Sequence, residues 1–539
     1  MSHSVNSVED DRSPLLSSFN PSDSSRDPSP KPKPYSPQKT ERILRNPVTL
    51  SGGSSSGSNY GSTDSTTSAV ISRYKYYSRL APHSDSSFVM PHHVVPSVFL
   101  ISNIKKTSGS QPSWVTVFSL WNTMMGTSLL SMPWAINQAG FAAGIAFLLF
   151  MAGIMLYTSY RILDSVKGLK STSEVIEFSD VCREYLGRWG EWVAWVSSLL
   201  TLLGGMIVYW ILISNFLYNI VTFIYHHAKG DDTVASGSTD PFCPSDDTNT
   251  TNTTDHTHDV TFNKIWDEQK TVPFILILII MPLINFKSPT FFTKFNALGT
   301  ISVTYLVCFA MKNAISWGIH LDFHDTASPS YVYEFRPNFP AITGIAALAF
   351  FIHNAVLAMA RVTRYPEKMV RDLILAYVLV AITYVYMGVI VYITFTIDKN
   401  CIQDNFLNNL KDTNVMAFVA RIGLFFQMIC VFPLLVYIFR LQFMNTLFGT
   451  IWPGLKQVFS LNAVLLVICI LFAVFMPTIG KIIGFVGALC GFSYAMALPC
   501  LVYMKIRQKK GTLTKPVIFV HVAIIVLGFA NFVGQFLIL

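Results

Sequence analysis

The chain has 539 residues, of which 51% are hydrophobic and only 13% are charged, and its mean hydropathy is +0.43. Soluble domains carry roughly 25% charged residues, so this composition excludes an ordinary soluble domain and indicates a protein with several membrane spans. The formal net charge of +8 does not point to a nucleic-acid partner, because the basic residues are scattered among short loops.

The first 70 residues are rich in Ser, Pro, Asp, Gly and Thr and contain few aromatic residues. Such a segment cannot bury enough apolar surface to offset the entropy lost on ordering, so residues 1–70 are predicted to form a disordered tail. Within it, residues 11–16 (DRSPLL) have the form of an acidic-dileucine sorting signal. This short motif favours an endosomal or lysosomal address.

The next part of the tail, residues 71–112, has a different composition. It gathers large apolar and aromatic side chains: Tyr74, Tyr76, Tyr77, Leu80, Phe88, Val89, Val94, Val95 and Pro96. A disordered tail has no packing reason to hold such a cluster, so we interpret it as a segment that folds on a partner, with aromatic anchors. The alternative is that it packs on its own membrane domain.

Residues 113–539 form the membrane domain, in which we predict eleven spans. Their approximate bounds are 113–136, 139–165, 190–226, 271–286, 295–318, 340–360, 371–397, 414–440, 457–477, 480–504 and 516–537. Loops on one side carry 18 Lys and Arg residues and those on the other carry 7. Because basic loops stay in the cytosol, the N-terminus is predicted to be cytosolic and the C-terminus lumenal.

The long loop 227–270 falls on the lumenal side of this prediction. It contains two acceptor motifs for N-glycosylation, which begin at Asn249 and Asn252. Cys243 lies in the same loop, and Cys401 follows the seventh span on the same side. An oxidising compartment would allow these two to form a disulfide, and the alternative is a pair of free lumenal thiols. The other six cysteines are predicted to be free.

The first span is polar at its centre. The candidate substrate-binding residues there are Asn122, Thr123, Met124, Met125, Gly126, Thr127 and Ser128. A helix that unwinds near Gly126 would direct N–H groups from Thr127 and Ser128, and carbonyl groups from Thr123 and Met124, at the gap. Such a gap can hold the head group of an amino acid, and it is tolerated in a membrane only if it lines a protein cavity. The alternative is a kinked structural helix whose Ser and Thr side chains bond back to their own turn.

The sixth span has a second polar interruption, His353 and Asn354, after the small-residue run 344–349. In transporters built from inverted repeats, the first and sixth spans are equivalent and both are interrupted at the substrate site. His353 is therefore a candidate substrate-site residue that would titrate with lumenal pH, and the alternative is a structural interhelical hydrogen bond. Neither a GxSxG, an HExxH nor a nucleotide-binding loop is present, so we do not expect an enzyme.

Several stretches resemble the amino acid/auxin permease superfamily and, within it, solute carrier family 38, the sodium-coupled neutral amino acid transporters. They are 121–133 (WNTMMGTSLLSMP), 285–289 (NFKSP), 350–354 (FFIHN) and 487–491 (GALCG). The resemblance covers residues 74–539 and is strongest to the lysosomal, arginine-sensing branch. It implies an all-α LeuT-like fold, with two inverted halves of five spans plus an eleventh helix.

The same resemblance implies particular binding residues. It places the substrate at Asn122 to Thr127, and sodium at Asn122 and a Thr of the eighth span, where this chain has Cys430. Because sodium prefers oxygen ligands to a thiol, sodium is possible but not expected as a cofactor. In the tail, the resemblance implies docking on the Rag GTPases and Ragulator through Tyr77, Leu80, Pro91 and Pro96, with Tyr74 in place of an aliphatic residue.

The resulting hypothesis is a multi-pass transporter of the lysosomal or late endosomal membrane. It would carry arginine as well as leucine and other neutral amino acids. It would report the abundance of these amino acids to TOR signalling through its tail. Two alternatives remain: an arginine receptor that transports little, and a plain neutral amino acid permease of the plasma membrane.

Overall fold

The computed structural model describes residues 111–167, 177–229, 241–244, 262, 265–286, 297–411, 414–448 and 453–537. Within these ranges the regular elements are helices, accompanied by three isolated backbone bridges. Nearly all of the tail, including Tyr74, Tyr77, Leu80, Pro91 and Pro96, lies outside the described residues. Asn249 and Asn252 lie outside them as well, so these assignments stay predictions.

The described α-helices are numbered here in chain order. They are α1 Ser113–Met124, α2 Ser128–Ala139, α3 Phe141–Val166, α4 Phe178–Leu186, α5 Arg188–Ala228, α6 Val272–Ile284, α7 Ala297–Trp317, α8 Pro340–Ala349, α9 Val356–Val362, α10 Met369–Thr394, α11 Val415–Phe448, α12 Leu455–Phe475, α13 Ile479–Cys490, α14 Leu498–Lys509 and α15 Lys515–Gln535. A π-helical stretch, Gly491–Ala497, joins α13 to α14.

Seven of the helices in the described ranges are long and apolar enough to cross a membrane, when α13, the π-helical stretch and α14 are taken as one. They are α3, α5, α10, α11, α12, α13–α14 and α15. Two further apolar helices, α6 and α8, are shorter. The all-helical membrane fold is therefore confirmed, while the count of eleven spans and the inverted repeat stay predictions.

Two boundaries differ from those predicted. The eighth span was expected to end at residue 440, but α11 continues to Phe448. The reason is that Arg440 is fully buried and donates hydrogen bonds to the carbonyl oxygens of Ile284 and Phe286, at 3.2 and 3.3 Å, so this charge does not mark a helix end. The predicted cytosolic loop 161–188 contains the short helix α4, which begins with a capping box between Glu177 and Asp180.

Close helix packing in the centre of the domain depends on glycine. The backbone of α13 at Gly487 lies directly against the Gly344 carbonyl of α8, and a Cβ atom there would lie 2.9 Å from the Leu348 Cβ. The Val486 side chain of the same helix fills the space beside Gly204 in α5. Helix α8 also packs against α2 and α3, while α10 packs against α1, α2 and α3. These contacts place the ends of α1, α2 and α8 side by side.

Candidate ligand site at two interrupted helices

The first predicted span is interrupted at the expected place. Helix α1 ends at Met124, Met125 adopts an extended backbone conformation, and α2 begins at Ser128. The first bonds of α2 run from the N–H groups of Leu129 and Leu130 back to the carbonyls of Gly126 and Thr127. The first N–H groups of a helix have no partner within it, so the start of α2 offers backbone donors at the gap.

A second interruption lies in the sixth predicted span. Helix α8 ends at Ala349 and α9 begins at Val356, so that residues 350–355 form no continuous helix. The Phe350 carbonyl, which the missing turn leaves free, accepts a hydrogen bond of 2.9 Å from the hydroxyl of Tyr377. Thus both interruptions lie where the polar residues of the sequence predict them.

A tyrosine of α10 connects the two interruptions. The Tyr384 hydroxyl donates to the Met124 carbonyl at 2.6 Å and lies 3.5 Å from the Ala349 carbonyl. One hydroxyl group therefore pairs with a carbonyl that the unwinding of α1 exposes, and it marks a point that both helix breaks share.

The side chains of the predicted residues in α1 differ in their roles. Asn122 is 6% exposed. The Thr123 hydroxyl donates to the Ser119 carbonyl at 2.7 Å. This bond to its own helical turn is the one that the structural alternative predicts. Met124 and Met125 are fully buried members of the apolar core. The part of Met124 that takes part in the interruption is its backbone carbonyl, which is bonded to Tyr384.

Two buried hydroxyls close to the break have no hydrogen-bond partner among the described residues. One belongs to Ser128, the first residue of α2, and the other to Tyr209 of α5. Tyr209 lies close enough to Tyr384 for their hydroxyls to interact electrostatically. Thr127 is 5% exposed and does not cap α2 with its side chain. The polar atoms of a bound ligand could pair with these groups.

The sixth-span residues are also buried. The His353 Nε2 atom lies 2.8 Å from the Thr158 hydroxyl and 3.2 Å from the Ser159 hydroxyl, both in α3. His353 thus makes the interhelical hydrogen bond of the structural alternative, while its Nδ1 atom has no partner among the described residues. Both amide atoms of Asn354 are buried and equally unpaired in that part of the chain.

The chemistry of Cys430 does not fit a sodium site. This thiol is 5% exposed in α11, and it occupies the position at which an oxygen donor was expected. A hard cation such as Na⁺ prefers oxygen ligands to sulfur. Cys430 therefore does not supply the oxygen ligand that a sodium site would need at this position.

A disulfide joins Cys243 to Cys401, with their Cα atoms 5.2 Å apart. Backbone bonding accompanies it, because the N–H of Phe242 donates to the Asn409 carbonyl at 2.9 Å. The other six cysteines are free thiols. The short segment 241–244 is in this way held against the loop that follows α10.

Two tyrosines of the site, Tyr209 and Tyr384, were absent from the sequence-based candidates. An aromatic residue in an apolar helix is more often part of a core, so neither stood out. A usable signal does exist in α10, where Tyr377 and Tyr384 are seven residues apart and therefore on one face of the helix. Both donate to carbonyls at helix breaks.

Comparison with known proteins gives one family and several close relatives. Residues 110–539 match the model of the transmembrane amino acid transporter protein family. A Caenorhabditis elegans protein named sodium-coupled neutral amino acid transporter 9 homolog is 42% identical over 497 residues, which is 86% of this chain and 80% of the relative. A Rattus norvegicus protein named neutral amino acid transporter 9 is 41% identical over 497 residues, or 87% and 89% of the two chains.

Among solved structures, the fold is similar to that of MhsT in complex with L-phenylalanine, with 9% sequence identity and a TM-score of 0.46, covering 79% of this chain and all of that one. The family assignment does not depend on this likeness. It follows from the match over most of the chain and from the 42% and 41% identity to relatives that are covered over 80% and 89% of their length, and it agrees with the resemblance drawn from the motifs. The chain belongs to the transmembrane amino acid transporter protein family.

Proposed function

We propose that the chain carries amino acids, arginine among them, across the lysosomal membrane through the interruption between α1 and α2, and that it reports their abundance to TOR signalling through its tail. Amino acid transport itself is supported by the family and by the names of the relatives. The observation that carries the proposed site is the meeting of the two helix breaks at the Tyr384 hydroxyl.

The chemistry of the break suits a zwitterion. The first N–H groups of α2 carry a partial positive charge and would donate hydrogen bonds to the ligand carboxylate, helped by the unpaired Ser128 hydroxyl. The carbonyls at the end of α1 would accept the ligand ammonium group. Since Tyr384 already occupies the Met124 carbonyl, an arriving ammonium group would have to share or replace that bond.

Transport would follow from alternating exposure of this site to the two sides of the membrane. A ligand shifts such an equilibrium only by its differential affinity for the two states. A tail that binds the cytosol-facing state would be released when arginine favours the other one. We propose the Rag GTPases and Ragulator as its partners, through Tyr74, Tyr77, Leu80, Pro91 and Pro96, on the basis of the sequence motif alone.

Substitution of Thr127 tests the site. Thr127→Trp should place an indole in the gap and abolish uptake of labelled arginine and leucine into proteoliposomes. Thr304→Trp provides the matched control, because Thr304 is exposed on the outer face of α7 and the same enlargement there should leave uptake unchanged. Normal uptake by Thr127→Trp would refute the proposed site.

The tail is tested separately. Tyr77→Ala combined with Leu80→Ala should abolish pull-down of Rag–Ragulator while the uptake of amino acids stays normal. If the double variant still pulled down Rag–Ragulator, the proposed role of the tail in binding it would be refuted. Imaging the tagged chain against lysosomal markers tests the proposed location, and a signal confined to the plasma membrane would favour the plain permease.

One observation favours a second candidate function, an arginine receptor that moves little substrate. Cys430 replaces the expected sodium ligand, and loss of the coupling ion would remove the driving force for concentrative transport. Calorimetric binding of arginine without measurable flux in the same preparation would select the receptor. Flux that continues when sodium is replaced by choline would select the transporter.

A further inference from the structure

A group of cationic and aromatic side chains lies where α3, α14 and α15 meet. We call it the arginine cluster, and its members are Tyr157 and Arg161 of α3, Tyr503 and Arg507 of α14, and His521 of α15. The guanidinium carbons of Arg161 and Arg507 lie 4.0 and 5.6 Å from the centre of the Tyr503 ring. The His521 ring is stacked on Tyr503 as well, with the ring centres 4.8 Å apart. One tyrosine ring therefore contacts cationic or aromatic groups from all three helices.

The arginine cluster lies at the end of the membrane domain opposite to the disulfide. The Gly480 N–H donates to the Asp404 side chain at 3.0 Å, so α13 begins beside the loop that carries Cys401. From there α13, the π-helical stretch and α14 run for 31 residues, whereas about 20 are enough to cross a bilayer. The last turns of α14 therefore lie on the other side, which the sequence predicts to be cytosolic. Tyrosines are enriched at the level of the lipid head groups, and Tyr157 and Tyr503 fit this position.

The positive charges of the cluster are not compensated by the protein. Neither Arg161 nor Arg507 has a carboxylate partner among the described residues. Asp164, three residues after Arg161, is paired with Lys167 at 3.4 Å instead. Because both guanidinium groups lie against the Tyr503 ring, they are at most about 10 Å apart and repel each other. An anion bound between them would remove this repulsion.

Hydrogen bonding also indicates a missing acceptor. Arg161 donates to the Tyr157 hydroxyl at 2.8 Å, and Arg507 donates to the Thr512 hydroxyl at 3.3 Å. The Nε atoms of both arginines are buried and have no hydrogen-bond partner in the described part of the chain, which is costly. The Tyr157 hydroxyl is already shared with the His521 Nε2 atom, at 3.0 Å. Each guanidinium thus has more donors than the described residues have acceptors for it, and both side chains are partly exposed to an approaching anion.

The surface around the cluster combines positive charge with apolar side chains. Exposed lysines follow along α14 and its end: Lys505, Lys509 and Lys510. Within one turn of His521, α15 exposes the apolar side chains of Ile518, Phe519 and Val522, which are 39%, 75% and 42% exposed. A membrane lipid has an anionic head and apolar chains and matches both parts of this surface, whereas a soluble anion matches only the charge.

We propose that the arginine cluster binds the head-group phosphate of an anionic phospholipid, whose acyl chains lie along the exposed face of α15. Arg161 and Arg507 would donate charge-assisted hydrogen bonds to the phosphate oxygens, which suit the planar guanidinium group. The bound phosphate would neutralise the repulsion and join α3, α14 and α15. A zwitterionic head group would bring its own cation towards the two arginines, so the site prefers a head group with net negative charge. The site requires neither transport nor the tail.

Native mass spectrometry of the full chain in detergent tests the site. Phosphatidylglycerol and phosphatidylcholine with the same acyl chains are titrated, because these two lipids differ in the net charge of the head group. The native chain should bind phosphatidylglycerol about tenfold more tightly, and Arg161→Gln and Arg507→Gln should each weaken this binding about tenfold. Binding of phosphatidylcholine should change less than about twofold.

Lys456→Gln is the matched control, because it removes an exposed positive charge at the start of α12, outside the cluster, and should change neither value. Equal binding of the two lipids by the native chain would overturn the proposal. So would unchanged binding of phosphatidylglycerol in either arginine variant that folds.

A purely structural role, in which the arginines only fasten α3 to α14 through the Tyr503 ring, is the alternative. Thermal unfolding separates the two roles. Phosphatidylglycerol should raise the Tm of the native chain above its value in phosphatidylcholine, and Arg507→Gln should abolish this difference. A variant whose Tm falls equally in both lipids keeps the difference, and this result would overturn the lipid site.

A soluble anion is the other source of phosphate, and a competition experiment separates it. Glycerol phosphate carries the charged group of the lipid without acyl chains, so at equal concentration it should not displace phosphatidylglycerol from the native chain. Displacement would assign the cluster to a soluble ligand and overturn the proposal. None of these measurements requires uptake, so a failure of the proposed transport function would leave their outcome unaffected.

Discussion

At the scale of single residues, Tyr384 explains how an interrupted helix survives in an apolar core. Unwinding between Met124 and Ser128 exposes backbone groups that cannot remain unpaired away from water. The Tyr384 hydroxyl on α10 donates to the Met124 carbonyl, and the Tyr377 hydroxyl of the same helix donates to the Phe350 carbonyl. The breaks are therefore held open by a neighbouring helix.

Removing that hydroxyl should be costly. In Tyr384→Phe the buried Met124 carbonyl loses its partner, so we expect the free energy of unfolding to fall by about 1–3 kcal/mol and uptake to decrease. Thermal unfolding in detergent measures the first effect. Tyr386→Phe is the control, because its partly buried hydroxyl makes one long bond of 3.4 Å to Val307 and should matter much less. Equal Tm values for the two variants would contradict this role.

Lys399 should make stability depend on pH. Burial lowers its pKa from 10.5 to about 8, so between these two values the unfolded chain holds more protons than the folded one. Stability contributed by this residue should therefore rise as the pH increases from 8 to 10.5. Lys399→Met should lose that rise, whereas Lys270→Met, at an exposed ion pair with Asp267, should keep it. A rise in Tm retained by Lys399→Met would assign the effect to other groups.

The sequence located the breaks well because polar residues in an apolar run have few structural explanations. No role could be assigned to Tyr384 from the sequence, because a tyrosine in an apolar helix has many structural explanations. For His353 it left two roles open, and the hydrogen bonds to Thr158 and Ser159 depend on how α3 packs, which no local pattern encodes. Hydrogen bonds between side chains of different helices join residues far apart in the sequence, so local patterns do not predict them.

At the scale of elements, the central helices approach one another where side chains are absent. The contact between α8 and α13 brings Gly487 against the Gly344 carbonyl, so two backbones meet directly. Helix packing of this kind in membranes depends on small residues. The interrupted helix α8 is in this way anchored along its length even though it ends at Ala349.

A methyl group at Gly487 should push the two helices apart. Because backbone atoms cannot move aside as a flexible side chain can, Gly487→Ala is expected to cost about 1–3 kcal/mol of unfolding free energy. Gly153→Ala is the matched control, since a Cβ at that position of α3 meets nothing within 4 Å. A Tm for Gly487→Ala that equals the control value would show that α8 and α13 can separate without loss.

Element bounds followed the hydrophobic runs closely, with exceptions that have physical causes. The eighth span was predicted to end at residue 440, but the buried Arg440 donates to carbonyls in and just after α6, and α11 continues to Phe448. Helix α4 was missed because a short amphipathic helix resembles a polar loop. The π-helical stretch 491–497 was not predicted, and in the structure it packs against α15.

At the scale of the whole molecule, the Cys243–Cys401 disulfide connects distant parts of the chain across 158 residues. Replacing both cysteines with serine should cost about 2–5 kcal/mol and lower the Tm. Cys308→Ser is the control, because this exposed thiol is free and its loss should leave the Tm unchanged. Equal Tm values for the double variant and the native chain would show that backbone bonding alone holds the two segments.

The position of Cys243 also has a consequence for a cleaved molecule. A protease that cuts anywhere between this cysteine and α6 would separate the polypeptide into two pieces, one with α1 to α5 and the other with α6 to α15. The bond to Cys401 would keep the halves covalently joined, so they should migrate together in a gel without reductant and apart once dithiothreitol is added. A chain that is cut once at this place would therefore stay covalently assembled.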